Sequence, residues 1–172
     1  CNQWVIELIA AALGDLPGHF VSDYLPGQVV YNLSEYPAPT PLAPTPYDEE
    51  LLASLAAAGV KLIQIHEDFN DSQRLLGADK FSSYDAEGLQ RFVDLVHSLG
   101  MKIIPYISSG YFDVRDPDFR ECWYDAHRDR LQELYFDYGH CSPASPEWRA
   151  YLLDKVERLL DRHGFDGLYN DM

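Results

Sequence analysis

The sequence predicts an α/β fold: the N-terminal half of a (β/α)8 TIM barrel, truncated, with about four parallel strands and intervening helices. Three observations predict it. Strand and helix patterns alternate from Gln28 to the last residues, and each helix ends in a glycine (Gly59, Gly100, Gly164) just before the next strand. That punctuation marks βαβ units and hence a parallel sheet. The helices are apolar on one face only, so they coat the outside of the sheet. Long loops follow the strands and no GxGxxG or P-loop glycine cluster does, which favours a barrel over a doubly wound sheet.

Each element follows from local chemistry. Residues 1–27 form an N-terminal lead-in, with Asn2 to Leu13 read as a short helix closed by Gly14 and the Pro17-Gly18 turn. The barrel segment is 28–172. Its first strand is Gln28 to Leu33, followed by a segment with Pro37, Pro39, Pro41, Pro44 and Pro46, too interrupted for helix or sheet. Asp48 is expected to cap a helix through Leu51, Leu52 and Leu55 that stops at Gly59. The second strand runs from Val60 to His66. Asp85 caps the next helix, where Leu89, Phe92, Val93 and Val96 recur at helical spacing before Gly100. Met101 to Ile107 is the third strand, and Ser109 to Pro143 reads as one long loop. Ser145-Pro146-Glu147 then supplies a cap, a first-turn proline and a first-turn acid for the last helix. Phe165 to Asp171 is the fourth strand.

The chain has 172 residues, 47% of them hydrophobic, and a net charge of −15. This is the composition of a globular domain with a real core. So acidic a surface repels phosphate backbones and anionic membranes, which argues against nucleic acid and membrane as partners and fits a neutral or cationic ligand. Cys1, Cys122 and Cys141 form no CxxC pair and read as ordinary thiols. No apolar run is long enough to span a bilayer, and Trp4 to Leu13 lacks the basic flank of a signal peptide, leaving the compartment open. The chain does not begin with Met, and four strands cannot close an eight-strand barrel. Both ends are therefore expected to be cut, and the piece alone to be inactive.

Strand parity selects the candidate site. Pairing the apolar parity with the helices directs Gln64, His66, Tyr106, Ser108, Tyr169 and Asp171 toward the barrel axis. Polar groups buried there are costly unless satisfied or used. Asp171, at the carboxyl end of its strand, fits a nucleophile or an electrostatic partner of an oxocarbenium-like transition state, and equally a loop carboxylate capping a following helix. Asp166 lies about 16 Å away along the strand, at the opposite end of the barrel, and cannot be its partner. His66, Glu67 and Asp68 end the second strand and suit either hydroxyl recognition or a solvated loop entry. Asn32, Tyr106 and Asn170 are weaker substrate-binding candidates. Aromatic residues from Tyr111 to His140 suit either subsite walls or a lid packed on itself. There is no GxSxG and no HExxH. A metal set of His66, Asp68 and Asp171 has no diagnostic spacing, so no metal or other cofactor is expected.

The stretch Gly164-Phe-Asp-Gly-Leu-Tyr-Asn-Asp171-Met172 resembles the fourth-strand signature of (β/α)8 glycoside hydrolases, nearest to the α-glucosidase/α-galactosidase group. It is also similar to the "GFDGFRLD" of the α-amylase superfamily, but Tyr169 stands where that family has arginine. Cys141-Ser-Pro-Ala-Ser-Pro-Glu-Trp-Arg-Ala-Tyr-Leu152 is similar to the lead-in of uncharacterised glycosyl-hydrolase-like barrels. Ala57-Ala58-Gly59, and His97 through Tyr106, read like wording common in the same group. The likeness covers about residues 28 to 172. It implies hydrolysis of O-glycosidic bonds in a carbohydrate substrate, with Asp171 at the nucleophile position and the acid/base on a later strand. Two alternatives remain: a non-catalytic carbohydrate-binding barrel, and a metal-dependent hydrolase on the same scaffold.

Overall fold

A computed structural model describes residues 30–33, 43–65, 81–124, 131–132 and 137–171, with the side chains of 30–33, 131–132 and 171 outside the description. The predicted helix at Asn2 to Leu13 and the 1–27 lead-in lie outside the described residues. In chain order the elements are β1 (Val30–Leu33), α1 (Pro46–Ala57), β2 (Leu62–Ile65), α2 (Ala86–Ser98), β3 (Lys102–Ser108), β4 (Tyr111–Asp113), a 3-10 turn (Glu121–Trp123), β5 (Leu131–Gln132), β6 (Asp137–His140), α3 (Pro146–His163) and β7 (Tyr169–Asp171). Strands β1, β2, β3 and β7 form one sheet in that order, every neighbouring pair parallel. This is the sequential order that βαβ units produce.

The helix boundaries are set by side chains at their first turns. Asp85 accepts from the Gly88 N–H at 2.8 Å, and Ser145 accepts from the Trp148 N–H at 3.2 Å with Pro146 in the first turn, both as the sequence predicts. The first helix differs: its cap is Thr45, not Asp48, and Pro46 belongs to the helix. The Thr45 hydroxyl accepts from the Asp48 N–H, and the Asp48 carboxylate accepts from the Thr45 N–H at 2.8 Å. In this reciprocal box the acid sits three residues inside the cap, and a first-turn proline lacks only a donor that would go unused. Helix α3 ends on Gly164, whose φ of +69° lies in the left-handed region, where a Cβ is strained.

The core lies between the sheet and the helices. Ile63 and Ile65 of β2 and Ile103 and Ile107 of β3 pack with Leu89, Phe92, Val93 and Val96 of α2 and with Trp148, Val156 and Leu159 of α3. The α2 set repeats every three to four residues, so one stripe is buried while the opposite face stays wet. Fully burying a side chain of this size stabilises by roughly 1.5–3 kcal/mol.

At the amino end of the sheet, Asp166 joins three elements. Its carboxylate accepts from the Ile103 N–H at 2.8 Å and contacts His97 Nε2 of α2 at 2.9 Å, and its own N–H donates to the Ile103 carbonyl at 3.0 Å. Asp166→Ala is expected to lower the unfolding free energy by about 2 kcal/mol in urea titrations, since hydrogen bonds to a charged acceptor are lost and a buried N–H is stranded.

His163 closes α3 nearby, only 3% exposed, its ring 5.8 Å from Phe165. Its Nδ1 has no hydrogen-bond partner among the described residues. Burial, with the Arg162 charge adding to it, holds its pKa below the ordinary 6.5. The unfolded chain therefore takes up this proton first as pH falls. The neutral ring's contribution is complete above about pH 6.5 and is lost as pH drops from there through the folded pKa. Urea midpoints measured between pH 7 and 5 should fall more steeply for the native sequence than for His163→Leu.

Candidate active site

Candidate residues gather at the carboxyl end of the parallel sheet. Strand β7 pairs with β3 in the register Tyr106↔Tyr169, Ile107↔Asn170 and Ser108↔Asp171. Ile103 and Ile107 belong to the helix-side core, so alternation puts Tyr106 and Ser108 on the face turned away from the helices. Gln64 shares that face on β2 through its register partner Ile104. Gln64, Tyr106 and Ser108 are all buried, at 8%, 8% and 7% exposure. The Tyr106 and Tyr169 rings lie 5.6 Å apart at 32°, an offset contact favourable for aromatic pairs.

The other predicted site residues fall as follows. The Asn32 backbone pairs in register with Gln64. His66, Glu67 and Asp68 lie outside the described residues. Asn170 shares the parity of Ile107, the helix side, and is exposed. The backbone of Asp171 ends β7 beside Ser108. Asp166 is at the opposite end of the sheet, bonded to Ile103.

The segment from Ser109 to Pro143, read from sequence as one loop, contains an antiparallel sheet ordered β4-β6-β5. Its strands are two to four residues long. Pieces so short carry no period, and distant pairing decides them. The sheet starts directly at the end of β3, where the Cys141 N–H donates to the Gly110 carbonyl at 2.8 Å.

This small sheet sorts the aromatic residues into two sets. Phe112 and Trp123, 0% and 3% exposed, pack into the main core. Phe112 lies 5.4 Å from Trp123 and 5.7 Å from both Trp148 and Tyr151 of α3. Trp148, 1% exposed, also donates its indole N–H to the Ser109 carbonyl at 3.0 Å, fixing the end of β3 to α3. The CSPASPEW stretch is thus a cap and an anchor. The opposite set is polar: Tyr111 pairs with His140 and Asp113 with Tyr138. The Tyr111 ring meets His140 edge-on at 5.0 Å and Tyr138 at 6.4 Å.

Asp113 is held by Arg115 through Nε at 2.9 Å, Nη2 at 2.6 Å and the backbone N–H at 2.8 Å. Burial alone would raise its pKa, but the Arg115 hydrogen bonds and charge outweigh it and hold the carboxyl below its ordinary value. Burial pushes the Cys141 thiol up to about 12, so it stays protonated, whereas Cys122 is exposed; neither forms a disulfide. Among the described residues no group of three His, Cys, Asp or Glu side chains is placed to hold a metal ion, and no helix is long and apolar enough to cross a membrane.

No protein-family model matches the chain, and no curated protein sequence does. Solved structures do. A maltogenic α-amylase from Thermotoga neapolitana superposes with a TM-score of 0.59 at 14% identity, over 84% of this chain and 39% of that one. An α-galactosidase from Geobacillus stearothermophilus, in complex with stachyose, gives 0.62 at 12% identity over 84% and 21%. An α-galactosidase from Lactobacillus brevis gives 0.59 at 16% identity over 84% and 20%. The fold is that of glycoside hydrolase-like barrels. Tyr169 departs from the amylase pattern, and here it serves as the ring partner of Tyr106. The chain spans less than half the length of each of these proteins.

The buried aromatic set carries packing. Trp123→Ala is expected to lower stability by about 3–5 kcal/mol, the cost of emptying a large core site. Thermal denaturation checks this; an unshifted midpoint would mean Trp123 does not hold the insert to α3.

Proposed function

We propose that the chain is the N-terminal half of a (β/α)8 glycoside hydrolase barrel, residues 28–172, preceded by a lead-in at 1–27, and that the whole protein hydrolyses O-glycosidic bonds in a carbohydrate. Asp171 is the catalytic carboxylate. It attacks the anomeric carbon or stabilises the oxocarbenium-like transition state, while a carboxylic acid beyond residue 172 protonates the leaving oxygen. Asn32, His66, Glu67, Asp68 and Tyr106 contact sugar hydroxyls around it, with Asn170 at the rim.

The observation that carries this reading is the pairing of Asp171 with Ser108, at the carboxyl end of a parallel sheet with a glycoside hydrolase-like fold. That end of such barrels carries the chemistry, because loops of different strands converge there. The solved neighbours support it as a class: they are named as an amylase and α-galactosidases.

Asp171→Asn in the full-length protein, assayed against a panel of aryl glycosides, should lower kcat/KM on the order of 10³-fold or more, with substrate binding retained. Equal turnover by the variant and the native enzyme would remove the nucleophile assignment.

A further inference from the structure

Ser108 has no part in the mechanism above, and its place in the sheet gives it one. It ends β3 on the face of Gln64 and Tyr106, and is 7% exposed. A hydroxyl held out of water needs a hydrogen-bond partner. On the β2 side the described ladder ends at Ile65↔Pro105, three residues short of Ser108. On the β7 side the register partner of Ser108 is Asp171. Register partners on neighbouring parallel strands share a face and lie about 5 Å apart. A serine hydroxyl and a carboxylate at these two positions come within hydrogen-bond reach.

The strand end that carries Ser108 is held from two sides. The carbonyl of the next residue, Ser109, accepts from the indole N–H of the buried Trp148 at 3.0 Å, which ties it to α3. The Gly110 carbonyl accepts from the Cys141 N–H at 2.8 Å, which ties it to the insert. Ser108 is thus presented from a fixed backbone, the condition for orienting a reacting group to a fraction of an ångström.

We propose that Ser108 is a positioning residue: its hydroxyl donates to one carboxylate oxygen of Asp171 and so holds the other toward the reacting carbon of the sugar. The inference rests on the proposed function. A hydrogen bond to the charged form also favours ionisation, and the carboxylate acts on the anomeric centre only as the anion. By alternation, the other titratable side chains that the described parts of β2, β3 and β7 place on this face are Tyr106, Tyr169 and Lys102. The two phenols stand one rung below, and Lys102 is six residues and about 20 Å from Ser108. Ser108 is the described donor level with Asp171.

The test uses the full-length protein and two readouts. One is the pH profile of kcat/KM on an aryl glycoside that it cleaves. The other is the carboxyl-carbon NMR titration of the signal that Asp171→Asn deletes. Without its donor the anion is less favoured, so Ser108→Ala should move the acid limb and the titration midpoint up by about one pH unit, and lower kcat/KM about tenfold. Ser108→Thr keeps the hydroxyl and should restore both. Where Ser108→Ala fails to fold, Ser108→Cys keeps the bulk with a weaker donor and should shift both the same way. An unmoved midpoint in a folded Ser108→Ala or Ser108→Cys protein overturns the proposal, even where activity falls. A raised midpoint, with Asp171→Asn turning over like the native enzyme, upholds the hydrogen bond and removes only the catalytic role of Asp171.

Discussion

At the foot of the parallel sheet, the Asp166 carboxylate takes the Ile103 N–H while its own N–H meets the Ile103 carbonyl. Three residues on, Tyr169 pairs with Tyr106, and two beyond that Asp171 pairs with Ser108. The offset between the strands is the same at all three points, so the clamp sets the register of the last strand before that strand begins. A slip of one residue would turn every side chain of β7 to the other face, moving Asp171 to the parity of Ile107. The stretch from Gly164 to Asp171 is therefore informative at both ends: its first acid, Asp166, fixes the register, and the acid five residues later is delivered by it.

The second constraint is the anchorage of the insert. Trp148 ties the end of β3 to α3 through the Ser109 carbonyl, and Phe112, Trp123 and Tyr151 fill the space around its ring. An insert held only by loop contacts would be free to tilt. With an aromatic core beneath one face, the polar set of Tyr111, Asp113, Tyr138 and His140 is kept on the other. One face of these short strands thus carries the aromatic packing, and the other carries the polar pairs.

Much of the scaffold was legible in the sequence because its signals are local. The caps at Asp85 and Ser145 and the helix-ending glycines need only their own turns, and the α2 stripe needs only its spacing. Strand parity correctly separated Ile63, Ile65, Ile103 and Ile107 from Gln64, Tyr106 and Ser108, since a parallel strand in a βαβ unit must turn its apolar side to the helices. The expected Asp48 cap failed because two residues three apart, Thr45 and Asp48, can each satisfy a terminal donor, and the proline run hid that the helix starts at Pro46.

The sequence by itself determined the alternation of strands and helices, the sheet face that carries Gln64, Tyr106 and Ser108, and the strand end where the Asp171 backbone falls, all consequences of periods of two and of three to four residues. Tertiary structure alone decided the antiparallel insert and the division of its aromatic residues between core and polar face. Strands of two to four residues have too little length to declare a period, and their pairing is chosen by what α3 and β3 already bury.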